Sequence, residues 1–351
     1  MNIPESNRLP INKLAACFNN TSATYKFYWF LSILQSIESG KEIISKRELF
    51  SRMISNAWYT VNYFKISFGK QDLIQTAIHF INKNELITID ENAENIFNKL
   101  KNTENKETIK QLWHFDKNVP HWFLSPWFPG KSTESDSNRT KRIYLESKSF
   151  ESNSIYGLHQ DSIEINPEWI YYLTDNIRVL KDFCYWNLVI FLQSKNPNVP
   201  DIPNKIIKPP TRNNLTKQRK LFWDIVIDEM DSVECIYTKR ILNKSDYAVE
   251  HFIPYSFVSH DLIWNLVPAD KSFNSSKSNK LPQLDKYFMP FYTIQKCAFD
   301  IIKTKNPNSK ILEDYLTVFS TIDESLDEKR FREVLQPLVT IASNNGFEYM
   351  K

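Results

Sequence analysis

Glycine is almost missing from this chain. Its five copies, Gly40, Gly69, Gly130, Gly157 and Gly346, come no closer than the 27 residues that separate Gly130 from Gly157. A glycine-rich phosphate loop, a dinucleotide fingerprint and a G-x-S-x-G elbow all need clustered glycines, so none can be drawn here. Cysteine is sparse too. Cys17, Cys184, Cys235 and Cys297 form no C-x-x-C pair, which suits reduced thiols better than a disulfide framework. The longest nearly continuous apolar run, Phe27 to Leu34 with one serine inside it, falls short of the ~20 residues that span a bilayer. The first residues, with Glu5 and Arg8 among them, have no apolar core of a secretory signal. A cytoplasmic location is expected.

Neither sign of charge dominates, because 44 Lys and Arg oppose 41 Asp and Glu for a net charge of +3. That balance names no partner by itself. Core material is plentiful: 42% of the 351 residues are apolar and 14% aromatic, enough for one large or two ordinary domains, and disorder or a fibre is excluded.

The first two hundred residues read mainly as helices. Thr21 or Ser22 can cap a segment that runs to Gly40, and its face of Phe27, Leu31, Leu34 and Ile37 should be buried. Ser45-Lys46-Arg47-Glu48 has the form of a capping box ahead of Leu49, Met53, Trp58, Val61 and Phe64. Gln71 to Ile81 is amphipathic at helical spacing, and Asn166-Pro167 supplies a cap and a first-turn proline for one long helix from Trp169 to Leu192. Lys131 to Ser154 is rich in Ser, Asn and charge and reads as a mobile excursion. Trp113-His114-Phe115, His121-Trp122-Phe123 and Trp127-Phe128 are aromatic clusters whose apolar payload favours core packing over the stacking of bases.

Five prolines between Asn196 and Arg212 mark the main boundary. Lys205, Lys208, Arg212, Lys217, Arg219 and Lys220 stand there against a single acid, Asp201. Such a strip can follow a phosphate backbone or simply be a solvated linker. The organisation expected is a helical recognition domain over 1–195, a Pro-rich basic linker and helix over 196–229, a small domain over 230–290 and closing helices over 291–351. Within the last part, Tyr287 to Lys303, Ile311 to Phe319 and Leu326 to Ala342 read as helices, with Asn344-Asn345-Gly346 as the stop. No internal repeat is found.

Residues 235–282 carry the chemistry. Tyr247-Ala248-Val249 is a strand signal that ends in Glu250-His251, Leu262 to Val267 is a second, and Asp270 can cap a short helix to Asn279. Strand, loop, strand and helix would gather Glu250, His251, Asn265 and Asn274. This architecture resembles the ββα-metal, or HNH, endonucleases. More narrowly it is similar to the HNH domain of RNA-guided CRISPR type II effector nucleases. The residues that carry the resemblance are Cys235-Ile236-Tyr237-Thr238, Glu250-His251, Ile253-Pro254-Tyr255-Ser256, Asn265 and Asn274-Ser275-Ser276-Lys277-Ser278, with 14 residues from His251 to Asn265 and 9 from Asn265 to Asn274.

The resemblance implies an α+β chain whose mostly helical N-terminal part precedes a ββα-metal nuclease domain and closing helices. Phosphodiester hydrolysis needs an activated water and charge neutralisation at the phosphate. Glu250 and Asn274, both hard oxygen ligands, are assigned to Mg²⁺ or Mn²⁺, and His251 to the general base. Asn265 is implied in a supporting hydrogen bond, and Lys277, one turn beyond Asn274, beside the same phosphate. The family usually has Asp where Glu250 stands. No zinc is expected, because Cys235 has no partner cysteines. His260-Asp261 reads as a loop hydrogen bond, since no helix residue follows it at the interval the motif requires. DNA is the expected substrate, with RNA or a non-cleaving binder as alternatives. A role in bacterial defence beside a partner such as a sensor ATPase is what such proteins imply, and no membrane partner is expected.

Overall fold

The computed structural model describes residues 3–206, 214–322 and 326–351. These fall into two compact units, one built from the chain up to Pro197 with Ile206, the other from residues 198–205 and from 214 onward. Lys208, Arg212, Pro209 and Pro210 of the Pro-rich strip lie outside the described residues.

The first unit is organised by the helix Tyr25–Glu38, whose residues Phe27 to Leu34 are all buried. An element apolar on nearly every side must sit at the centre, and Lys46–Asn62 and Ile177–Lys195 pack on it. Its start differs from expectation. Neither Thr21 nor Ser22 caps it; Thr24 stands at the N-cap without a side-chain capping bond. The Thr24 N–H and hydroxyl both donate to Asp72 Oδ2 at 2.6 Å, while Asp72 Oδ1 accepts from Ile74 N at 2.9 Å and caps its own helix, Leu73–Glu85. One buried carboxylate thus staples the starts of two helices.

Ser45 likewise precedes the helix Lys46–Asn62 without capping it. It ends the strand Ile43–Ser45, which pairs with Ser162–Ile165, and that strand pairs in turn with Tyr156–Leu158 in a three-stranded antiparallel sheet. Glu48, the other half of the expected capping box, is drawn instead into an ion pair with Lys41 at 2.6 Å.

Two longer readings are corrected. Asn166 does cap a helix, accepting from Glu168 N at 3.0 Å, but the segment breaks at Asn176 into Pro167–Asp175 and Ile177–Lys195. Asn176 turns its amide back on the Tyr172 carbonyl at 2.9 Å and leaves helical geometry. The Ser- and charge-rich stretch after Lys131 holds a helix, Asp136–Glu146. Arg142 fixes it by a two-pronged bond to Glu134 at 2.7 Å and a third bond to the Pro129 carbonyl, and Ile143 is fully buried.

In the second unit the helix Leu284–Lys305 is the platform. Phe291 stacks on Phe252 with ring centres 3.9 Å apart, and Gln295 donates to the Ile263 and Leu266 carbonyls while accepting from Tyr315 Oη. This fixes the chain on both sides of the small sheet described below. The helix expected over Ile311 to Phe319 is present as a 3₁₀ helix, Lys310–Thr317, and Glu328–Asn344 ends before Gly346 at φ +86°. Cys17 and Cys184 are buried, whereas Cys297 is half-exposed beside Met230.

Because Asp72 satisfies three buried donors, Asp72→Ala should lower unfolding free energy by about 2–3 kcal/mol, read as a shift of the urea midpoint, and Thr24→Ala should cost less.

Candidate active site

Ala248–His251 runs antiparallel to Leu266–Ala269, with Glu250 opposite Val267 and His251 opposite Leu266. The second strand begins later than expected because Ile263–Asn265 forms a 3₁₀ turn ahead of it. Asn265 closes the intervening loop. Its backbone carbonyl accepts from Phe252 N at 2.7 Å, its Oδ1 accepts from Ile253 N at 2.9 Å, and its Nδ2 donates to the Ile253 carbonyl at 2.9 Å. A fully buried side-chain amide therefore pairs with a peptide as another strand would, and holds the chain directly after His251.

The helix Lys271–Lys277 follows the second strand at once. Asp270 caps it through Ser272 N at 2.9 Å and Phe273 N at 3.1 Å and ion-pairs with Arg240 at 2.7 Å. Bonds from the Ser272 hydroxyl and the Arg240 guanidinium hold the Asp270 carboxyl far below its usual range. The other face of this helix turns to the first strand: Lys277 Nζ donates to Glu250 Oε1 at 2.8 Å and to the His251 carbonyl at 2.7 Å. The ammonium is completely buried. Burial pulls its pKa down and Glu250 opposes that shift.

Asn274 sits one turn before Lys277, on the same face. Its Oδ1 is buried, and no described residue donates to it. Tyr237 Oη is a second buried atom without a hydrogen bond among the described residues. Its ring stacks on Phe273 at 4.6 Å, and burial, then the nearby Glu250 charge, raises its pKa well above the usual value. A buried amide oxygen without a donor and a carboxylate on the neighbouring strand are oxygen donors of the kind a hard cation takes. Glu250 and Asn274 therefore fit Mg²⁺ or Mn²⁺ by donor chemistry. Among the described residues no three His, Cys, Asp or Glu side chains are grouped as a metal site.

His251 is buried, and its Nε2 lies 2.9 Å from Asp261 Oδ1. An ionised carboxylate can only accept, so Nε2 carries the proton and Nδ1 is the basic nitrogen. Asp261 was missed as a partner of His251 by the sequence reading, which placed it in a loop hydrogen bond of its own. The available signal was geometric: residues 252–265 must return to the first strand, because His251 pairs with Leu266. His260 does serve the loop, its Nδ1 accepting from Leu262 N at 3.4 Å.

Residues 232–283 match the HNH endonuclease family. Neither the curated proteins nor the solved structures offer a match. The HNH segment contains Glu250, His251, Asp261, Asn265, Asn274 and Lys277, and Tyr237 besides. Of the four described cations of the basic strip, two are spent inside the protein. Lys205 is buried on the Pro200 carbonyl, and Arg219 covers the Tyr247 ring and donates to the Tyr247 and Lys244 carbonyls. Lys217 and Lys220 face solvent.

Two outcomes follow from these burials. Lys277→Met strands the Glu250 carboxylate and should cost about 3–5 kcal/mol of stability, part of which the double variant Lys277→Met/Glu250→Gln recovers in urea unfolding. Burial, with His251 adding repulsion, holds the His260 pKa at about 4 against 6.5 unfolded. Between those values the unfolded chain binds the proton first, so this contribution is full above pH 6.5 and disappears as pH falls toward 4, a loss on the order of 3 kcal/mol. Melting curves across that window should steepen in the wild type and flatten in His260→Gln.

Proposed function

We propose that this chain is a metal-dependent HNH endonuclease that hydrolyses phosphodiester bonds of DNA. The observation that carries this reading is the His251 imidazole, its tautomer set by Asp261, on the strand that also presents Glu250, facing the helix that presents Asn274. Glu250 and Asn274 would hold Mg²⁺ or Mn²⁺, which when bound supplies charge neutralisation at the scissile phosphate and its leaving oxygen. His251 Nδ1 takes a proton from the attacking water, a role worth about 10²–10⁴-fold. Asp261 orients the ring and steadies the imidazolium that forms. Asn265 holds the backbone on which the ring stands. Lys277 neutralises Glu250 and the His251 carbonyl in place of reaching freely to a phosphate. With a net charge of only +3, the chain lacks a strong general pull on DNA, which favours delivery of substrate by a partner protein such as a sensor ATPase in a defence setting.

One observation favours a second reading, a nucleic-acid-binding subunit that does not cut: the Lys277 ammonium already satisfies one oxygen of Glu250. The test is incubation of the purified chain with supercoiled, linear and single-stranded DNA and with RNA, with and without Mg²⁺ or Mn²⁺. Metal-dependent nicking that is lost in His251→Ala, and reduced about 10–100-fold in Asp261→Ala with little change in KM, supports the nuclease. Wild-type cleavage by His251→Ala would refute it. Binding that ignores metal and leaves no nicks supports the second reading.

A further inference from the structure

The first unit carries a cavity of about 450 Å³ that the nuclease reading does not use. Its wall includes Lys26, Arg139, Trp122, Tyr25 and Asn118, and no Asp or Glu lines it. The two cations face each other uncompensated: among the described residues neither is in an ion pair, and the charge of Arg139 adds to burial in depressing the Lys26 pKa. Holding like charges together in a half-buried place costs stability unless a counter-ion completes the site.

Arg139 is fixed rather than mobile. Its Nε donates to the Phe128 carbonyl at 3.0 Å, its Nη2 donates to the Ser125 carbonyl at 3.2 Å, and its guanidinium lies 5.1 Å from the Trp122 ring centre. Lys26 stands in the first turn of the helix Tyr25–Glu38, whose N-terminus no side chain caps. The nearest acid to that turn, Asp72, is buried behind it and committed to Thr24 and Ile74. Phe115, Phe123, Trp127 and Phe128 of the aromatic clusters are buried, whereas Trp122, like Trp113 and His114, stays half-exposed, and of these three Trp122 lines the cavity.

We propose that this cavity binds a nucleotide through its terminal phosphomonoester, with the phosphate between Lys26 and Arg139 and the base against the Tyr25 and Trp122 rings. The volume lies in the usual range for small organic ligands, about 300–1,000 Å³. Two cations match a phosphomonoester, which carries about −1.5 to −2 near pH 7, better than the single charge of a diester. Planar bases stack on aromatic walls without regard to sequence. The same chemistry is offered by a free mononucleotide and by the phosphorylated 5′ end of a strand. Neither depends on the HNH site.

The experiment is isothermal titration of the full chain in EDTA, so that no hydrolysis intervenes, with inorganic phosphate, AMP, a 5′-phosphorylated oligonucleotide and its 5′-hydroxyl counterpart. Saturable binding of AMP, displaced by phosphate and weakened about tenfold or more in Lys26→Met, is expected. Lys26→Met keeps the aliphatic stem and removes the repulsion with Arg139, so its melting temperature without ligand should equal or exceed that of the wild type. That result separates a ligand role from a structural one. AMP binding as tight as that of the 5′-phosphorylated strand identifies the free nucleotide as the source, and much tighter binding of the strand identifies its end. No saturable binding at millimolar ligand, unchanged affinity in Lys26→Met, or equal binding of the 5′-hydroxyl oligonucleotide would overturn the proposal.

Discussion

A single buried ammonium ties the candidate active site together. Lys277 reaches from the helix Lys271–Lys277 to the strand Ala248–His251 and bonds both a side chain and the backbone there. Burying that charge is costly, and it is tolerable only because a carboxylate and a carbonyl receive it at short range. The consequence is geometric. Strand and helix cannot slide against each other without stranding Lys277, so Glu250 on one and Asn274 on the other are kept in register. Asn265 does the same for the loop, replacing a missing ladder bond with its own amide.

How much of this was legible in the sequence depends on how local each cause is. The strand ending at Glu250-His251 and the helix capped by Asp270 rest on neighbouring residues, and both stand close to where they were expected. The second strand was drawn too early because Leu262 and Ile263 share the apolar character of a strand, while their backbone is bent into a 3₁₀ turn by the need to place Asn265. Asp261 escaped notice because its partner is ten residues away across a returning loop. Arg142 and Glu134 hide a helix in a stretch with the composition of a loop, since a guanidinium clamp leaves no periodic signal. Lys205 and Arg219 looked like a track for phosphates, but their acceptors are backbone carbonyls, which a sequence does not display.

Most cations held close to the protein interior are answered in both units. In the HNH segment nearly every positive charge near the candidate site is answered: Lys277 by Glu250, and Arg240 by Asp246 and Asp270. In the first unit Lys46 is likewise answered, by Asp116 at 2.8 Å and Tyr144 Oη at 2.7 Å. Lys26 and Arg139 stand apart from that pattern. Folding alone gives no reason to hold two cations at one acid-free cavity, because moving either outward would relieve their repulsion at little cost in packing. Arg139 is nevertheless secured to two carbonyls, so the arrangement is maintained against its own electrostatics.

The extra methylene of Glu250 can be placed in the same framework. The ion pair engages only one carboxylate oxygen, Oε1. A carboxylate offers about four acceptor positions over its two oxygens, so the bond to Lys277 does not use up its capacity to ligate a cation. An aspartate on this strand would carry its oxygens one bond closer to the backbone, nearer to the strand and farther from the ammonium on the helix. The longer side chain lets one oxygen satisfy the buried lysine and leaves the other outside that bond. The substitution of Glu for the usual Asp is therefore compatible with a hard-cation site because the lysine, the glutamate and the orphaned amide oxygen belong to one arrangement.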